Sequence, residues 1–226
     1  MSLKNGDFIK INYTGKFEDG IIFDTTIETI SKENNIYNEN GVYGGDVIII
    51  GAKNTIDGLD EDFLNKDVGY ETTIKLSPEK AFGISDPKLI TSVSISKIKN
   101  GNIKVGSVIE QNGRQGIITR IIGRRVTIDF NSPLKGKNVI YTYKIEKKID
   151  DLKEKINGLF TLYTGIKELT ININDNTAEI YTPNMLAYNQ KWIFIKNKFL
   201  KDIFDYTNIN NIKFIEDHKK DDKNQL

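Results

Sequence analysis

Tyr13-Thr-Gly-Lys-Phe-Glu-Asp-Gly-Ile-Ile-Phe23-Asp24 is the stretch from which the rest of the chain is read. It follows Ile9-Lys-Ile11-Asn-Tyr13, where apolar and polar residues alternate as in a strand with one buried face. The pattern resumes in Thr72-Thr-Ile74-Lys-Leu76. Between them, Ile56, Leu59, Phe63 and Leu64 form one apolar stripe at helical spacing. Acidic Asp57, Asp60, Glu61 and Asp62 crowd the first turns of that helix, as the helix dipole favours.

The chain has 226 residues, enough for two or three small domains. Its 38% apolar and 28% charged content suits a globular protein. A net charge of +1 gives no long-range attraction to nucleic acid or an anionic membrane, so neither is expected as a partner. There is no cysteine, which rules out disulfides, thiolate catalysis and Cys-ligated metal. The single histidine, His218, lies in a polar tail, so no metal and no cofactor is expected. The opening Met1-Ser-Leu-Lys-Asn-Gly-Asp-Phe lacks the apolar core of a signal peptide, and the longest apolar runs are strand-sized. A cytoplasmic location is the expectation.

Further along, Val105 to Gln111, Gln115 to Ile122 and Arg125 to Phe130 read as strands, with Asn112-Gly113 as a hairpin turn. Asn131-Ser132-Pro133 is a turn, and Val139 to Ile145 returns to strand with Tyr141, Tyr143 and Ile145 on one face. After Asp150 a third unit begins. Leu169–Ile173 and Ala178–Tyr181 flank an Asn/Asp-rich turn, Trp192, Ile195, Phe199 and Phe204 have helical spacing, and Ile212–Ile215 reads as a last strand.

Several pieces fall into one order: Tyr13 to Asp24, Gly51 with Ile56-Asp-Gly-Leu59, Ser77-Pro-Glu-Lys-Ala-Phe82-Gly83, and Asn131-Ser-Pro-Leu-Lys-Gly-Lys137 before the last strand. In that order they resemble an FKBP-type peptidyl-prolyl isomerase of SlyD-like architecture, over residues 6 to about 149. The resemblance implies an α+β fold: an antiparallel sheet wrapped on a short helix, an inserted small β-rich domain, and a C-terminal α/β domain as in long archaeal members. The implied boundaries are 1–84 with 132–149 for the isomerase, 85–131 for the insert, 150–217 for the C-terminal domain and 218–226 for a disordered tail.

By the same resemblance, Tyr13 lines a proline pocket with Phe23, Asp24 reaches the bound peptide, Ile56 offers a backbone donor and Leu59 is the pocket floor. Phe82 occupies an Ala-Tyr-Gly position without the tyrosine hydroxyl, and Tyr141 closes the pocket. Leu89, Ile90, Val93, Ile95 and Ile98 of the insert are candidates for capturing unfolded chain, or else fill a small core. About twenty residues between Asp24 and Asp46 make an extra loop or helix at Glu28–Tyr43, and either Asp46 or Val47 stands where an aromatic often lines the cup. Expected partners are unfolded or proline-containing polypeptides, with a homodimer through the C-terminal domain.

The implied chemistry needs no nucleophile. Amide rotation faces a barrier of ~18–20 kcal/mol because resonance is lost at the twisted state. A water-poor apolar cup disfavours the planar, more charge-separated amide more than the twisted one. The expected activity is prolyl isomerisation combined with holdase action on unfolded clients. The alternative is a chaperone or adaptor module that binds proline without turnover. A weaker third reading, RNA binding through Arg114, Arg120, Arg124 and Arg125, lacks interleaved aromatics.

Overall fold

A computed structural model describes residues 2–98, 103–111 and 113–218. The chain forms two compact units, Met1–Lys75 with Val139–Leu226, and Leu76–Asn138. In chain order the elements are β1 (Phe8–Phe17), β2 (Ile22–Thr25), α1 (Glu28–Glu33), β3 (Asp46–Ile49), α2 (Asp57–Asp62), β4 (Glu71–Leu76), β5 (Ile90–Ser94), β6 (Val108–Gln111), β7 (Arg114–Ile122), β8 (Arg125–Asp129), β9 (Val139–Ile149), α3 (Leu152–Thr164), β10 (Thr170–Asn174), β11 (Thr177–Tyr181), α4 (Gln190–Tyr206) and β12 (Asn211–Ile215). Antiparallel sheets with few helices give the α+β fold.

In the first unit, β1 is the axis of the main sheet, ordered β2-β1-β9-β4 with β3 also on β1. β9 runs antiparallel along the whole of β1, from Phe8↔Ile149 to Phe17↔Val139. β3 pairs with Phe8 to Ile11, and β2 pairs with Thr14 to Lys16. Both therefore lie on the β1 edge opposite β9. Side chains alternate between two buried faces, which is why β1 and β9 carry so many large apolar residues. One face bears Ile11, Tyr13, Tyr141 and Tyr143. The other bears Phe8, Val47, Ile49 and Ile149.

The second face is covered by the C-terminal segment. Its core joins Phe8, Val47, Ile49 and Ile149 to Ile156, Leu159 and Phe160 of α3, Trp192, Phe199 and Ile203 of α4, and Ile171 and Ile180 of the small sheet β10-β11-β12. The helices are placed by side-chain signals. Asp151 caps α3 by accepting the amide of Glu154 at 2.8 Å, and Gly165 ends it at φ +77°. Asn189 caps α4 on the amide of Trp192 at 3.1 Å. Gly158 lets α3 approach the sheet, because a Cβ there would lie 2.4 Å from Val47 Cγ2. Trp192 and Phe199 are buried, whereas Phe204 is 41% exposed. β12 runs parallel to β11, reached through the crossover helix α4.

The second unit is a four-stranded antiparallel sheet, β5-β8-β7-β6. Ile109, Ile118, Val126 and Ile128 make its small core. Gln111 lies opposite Arg114 between β6 and β7, and Asn112 of the expected turn is outside the described residues. Most of the expected disordered tail, residues 219–226, is outside them as well. No helix among the described residues is long and apolar enough to cross a membrane.

Candidate active site

The site grows from one row of the main sheet. Gly15 on β1 lies between Asp24 of β2 and Tyr141 of β9. Directly paired residues share a face, so a glycine there leaves a hollow between a carboxylate and an aromatic ring. The hollow is filled from the side. The β1–β2 register jumps from Gly15↔Asp24 to Lys16↔Ile22, which places Phe23 in a bulge. A bulge re-aims the side chain it carries. The Phe23 ring meets Tyr141 edge-on at 5.8 Å and Phe17 at 4.9 Å. A Cβ on Gly15 would stand 2.9 Å from both Phe23 Cζ and Tyr141 Cε1.

Tyr13, two residues before Gly15, faces the same way. Its ring lies 5.8 Å from that of Tyr141, tilted by 55°. Its hydroxyl donates to Asp24 Oδ2 at 3.1 Å. Its backbone is clamped by two buried threonines: the Tyr13 amide donates to Thr26 Oγ1 at 2.9 Å, and the Tyr13 carbonyl accepts the Thr25 hydroxyl at 3.0 Å and the Thr26 amide at 3.0 Å. The ring is thus fixed at its backbone and at its tip.

Asp46 completes this cluster. It pairs with Ile11 across β1–β3, one step from Tyr13 on the same face. Burial, followed by the charge of Asp24, pushes the Asp46 carboxyl up to about 6, against the opposing pull of Tyr13. Burial also raises Asp24, offset by hydrogen bonds from Tyr13 and the amide of Thr25. Asp24 is solvent-reached at the rim, yet the rings beside it displace enough water to disfavour its charge. Burial, then Asp46 and Asp24, drive the Tyr13 phenol well above its ordinary range, so it remains a proton donor. Tyr141 is raised by burial and by Asp24.

Helix α2 is laid over the same face. Phe63 at its end packs edge-on against Tyr143 at 4.9 Å, and the Tyr143 hydroxyl donates to Asp62. Leu59, one turn earlier, is buried. Ile56 is extended at the entry to α2, and its carbonyl accepts the amides of Leu59 and Asp60. Phe82 belongs to the other unit, where it is partly buried beside a turn closed by the amide of Gly83 on the carbonyl of Pro78 at 2.7 Å.

The structure therefore brings Tyr13, Phe23, Asp24 and Tyr141 together, and puts Leu59 and Ile56 on the helix that covers their face. Asp46 rather than Val47 joins them: Val47 points into the opposite core. Gly15 was not singled out, although a glycine at i+2 from Tyr13 within an alternating strand was the available signal. In the insert, Val93, Ile95 and Ile98 pack against the small core. Ile90 is 41% exposed on edge strand β5. Leu89 and Val93 line a groove with Lys88, Thr91, Gln111, Arg114 and Phe130.

Comparison with known proteins agrees with this geometry. Residues 1–110 match the family described as FKBP-type peptidyl-prolyl cis-trans isomerase, and residues 152–219 match one described as FKBP26_C-terminal. The chain is 32% identical over 145 residues to a short-type peptidyl-prolyl cis-trans isomerase of Methanocaldococcus jannaschii, covering 63% of this chain and 92% of that protein. The chain belongs to the FKBP-type peptidyl-prolyl cis-trans isomerases. An Escherichia coli FKBP-type 16 kDa isomerase is 28% identical over 151 residues, covering 64% of this chain and 92% of its own length. The SlyD isomerase of Helicobacter pylori is 26% identical over 102 residues, covering 43% and 55%. This FKBP-type chain is accordingly a peptidyl-prolyl isomerase.

Proposed function

We propose that the aromatic cluster of Tyr13, Phe23 and Tyr141 beside Gly15 seats the proline ring, and that the unit formed by Leu76–Asn138 holds unfolded clients for it. One observation carries the reading: Gly15, the small residue in that row, sits where the rings of Phe23 and Tyr141 converge, each 2.9 Å from where its Cβ would stand. The surrounding rings keep water from the imide. Moving an amide out of water costs about 0.5–3 kcal/mol on protein-like scales. The planar amide bears that cost more than the twisted one, and each ~1.4 kcal/mol of difference gives a factor of ten in rate. Tyr13 holds Asp24 at the rim, where its carboxylate meets polar groups of the bound peptide. No proton transfer is required of either residue.

The holdase part is supported by the groove of Leu89, Val93 and Phe130 and by the exposed edge of β5 beside it, which together offer apolar burial and strand addition to an extended chain. Pairing of two copies through the C-terminal segment is supported by Met185, Tyr188, Ile193 and Phe194, all at least 60% exposed around the start of α4. The test compares a proline tetrapeptide with proline-limited refolding of a protein client, using the intact chain and one lacking residues 85–131. Catalysis kept on the peptide but lost on the client supports two cooperating sites. Equal loss on both, or no acceleration by the intact chain on either, defeats the reading and leaves a proline-binding module.

A further inference from the structure

The loop between β3 and α2 delivers Ile56, and it is held in an unusual way. Two of its residues occupy the left-handed region, Gly51 at φ +83° and Lys53 at φ +55°. For lysine that conformation costs free energy and persists only where the surroundings impose it. From the α2 side, the Asp60 carboxylate accepts the amides of Gly51 at 2.8 Å and Lys53 at 3.2 Å. From the other side, the hold comes from the C-terminal segment, about 110 to 150 residues away in sequence.

Asn54 is the centre of that hold. Its Oδ1 accepts the Ile49 amide at 2.9 Å, at the end of β3. Its Nδ2 donates to the Tyr163 oxygen of α3 at 2.7 Å and to Asp202 Oδ2 of α4 at 2.9 Å. The Tyr163 hydroxyl donates to the same Asp202 oxygen at 2.5 Å. Lys198 Nζ, one turn before Asp202, bridges Asp202 Oδ2 at 3.0 Å and the carbonyl of Ala52 at 2.9 Å. Asp202 is only 4% exposed. A buried carboxylate without partners would be very costly, and here every partner is a loop residue or a group that fixes one.

A polar network of this kind is not needed to fill a core. The apolar surfaces of α3 and α4 already pack on the sheet through Phe160, Phe199 and Ile203. What the network adds is direction: it specifies one geometry for residues 51–55. We infer that Asp202, with Lys198 and Tyr163, is a positioning residue for prolyl isomerisation, holding through Asn54 and Ala52 the loop that aims the Ile56 backbone at the bound peptide. The C-terminal segment is thereby a working part of the catalytic unit. This inference rests on the reading that the cup over Gly15 seats proline and that Ile56 meets the peptide.

The experiment uses the full chain. Asp202→Asn, Asn54→Ala and Lys198→Met are assayed on a proline tetrapeptide, with Asp24→Asn as a control for the cup. Backbone amide signals of residues 51–56 are followed by NMR with and without peptide. Each of the three brace variants is expected to lower kcat/KM about tenfold, equivalent to ~1.4 kcal/mol. Faster amide exchange should be confined to residues 51–56, a pattern that general destabilisation would not give. Should Asp202→Asn fail to fold, Lys198→Met still decides, because its side chain is 39% exposed and its loss frees the Ala52 carbonyl. If Asp24→Asn slows the enzyme and the Ile56 amide responds to peptide, yet Lys198→Met is fully active with unchanged exchange, the brace is wrong and the cup stands. If neither Asp24→Asn nor the Ile56 amide responds, the cup reading falls and the brace with it.

Discussion

Replacing Asp46 with asparagine should stabilise the protein at neutral pH and do nothing in acid. Asp46 has its carboxyl pushed from an ordinary 3.8 up to about 6 by burial and by the charge of Asp24. The folded state therefore prefers the protonated form, and holds that proton more tightly than the unfolded chain does. Stability falls as pH rises from about 4 through 6, and the loss is complete above that window. At 1.36 kcal/mol per pH unit, the rise corresponds to at most about 3 kcal/mol. Because Asp46 retains some contact with solvent, about 1–3 kcal/mol is the working range. Asparagine keeps the shape but carries no charge. For a chain of this size, each kcal/mol moves the melting temperature by about 2–4 °C. Asp46→Asn should thus melt roughly 2–12 °C above wild type at pH 8 by thermal circular dichroism. The difference should shrink towards zero by pH 4. A difference that is flat across this range, or that grows in acid, would refute the assignment of a strained charge at this position.

Two further outcomes follow from close approaches. Gly15→Ala places a Cβ 2.9 Å from Phe23 Cζ and Tyr141 Cε1, so the rings must part and the cup loses its shape. Peptide kcat/KM should drop at least about tenfold, and unchanged turnover would show that proline sits elsewhere. Gly158→Ala improves intrinsic helix propensity yet drives a methyl to 2.4 Å from Val47 Cγ2, so denaturant titration should show a net loss of about 1–3 kcal/mol. Adding Val47→Ala should recover part of it, whereas a stabilised single variant would mean α3 is free to move off the sheet.

Much of the main sheet was legible because the alternation in Ile9-Lys-Ile11-Asn-Tyr13 and around Tyr141–Ile145 is a local signal with a strong physical cause. The α2 stripe was legible for the same reason. The aromatic members of the cup followed from the ordered motifs. What escaped was whatever depends on distant partners. β5 went unread because its Ile90, Val93 and serines have no regular period and gain strand form only by pairing with β8. The expected strand from Val105 begins at Val108, since Lys104 to Gly106 form a turn with Gly106 at φ +89°. The choice between Asp46 and Val47 for the cup stayed open, because nothing in Asp46-Val-Ile-Ile-Ile reveals that Tyr13 and Asp24 wait on neighbouring strands. Asn54 and Asp202 are separated by 148 positions, and no spacing rule connects them.

β2 and β3 divide one edge of β1 between them, and the Gly44 amide returns to the carbonyl of Thr26 at 2.9 Å. The chain thus leaves the sheet and re-enters it at neighbouring points. Whatever lies between is a side branch whose length the sheet does not sense, apart from a closure entropy that rises only ~0.6 kcal/mol for each doubling. The Tyr37–Tyr43 stack at 5.5 Å ties the far part of that branch back onto itself. Residues 27–43 therefore mark a point beside the cup where the chain can lengthen or shorten while the sheet beneath keeps its register.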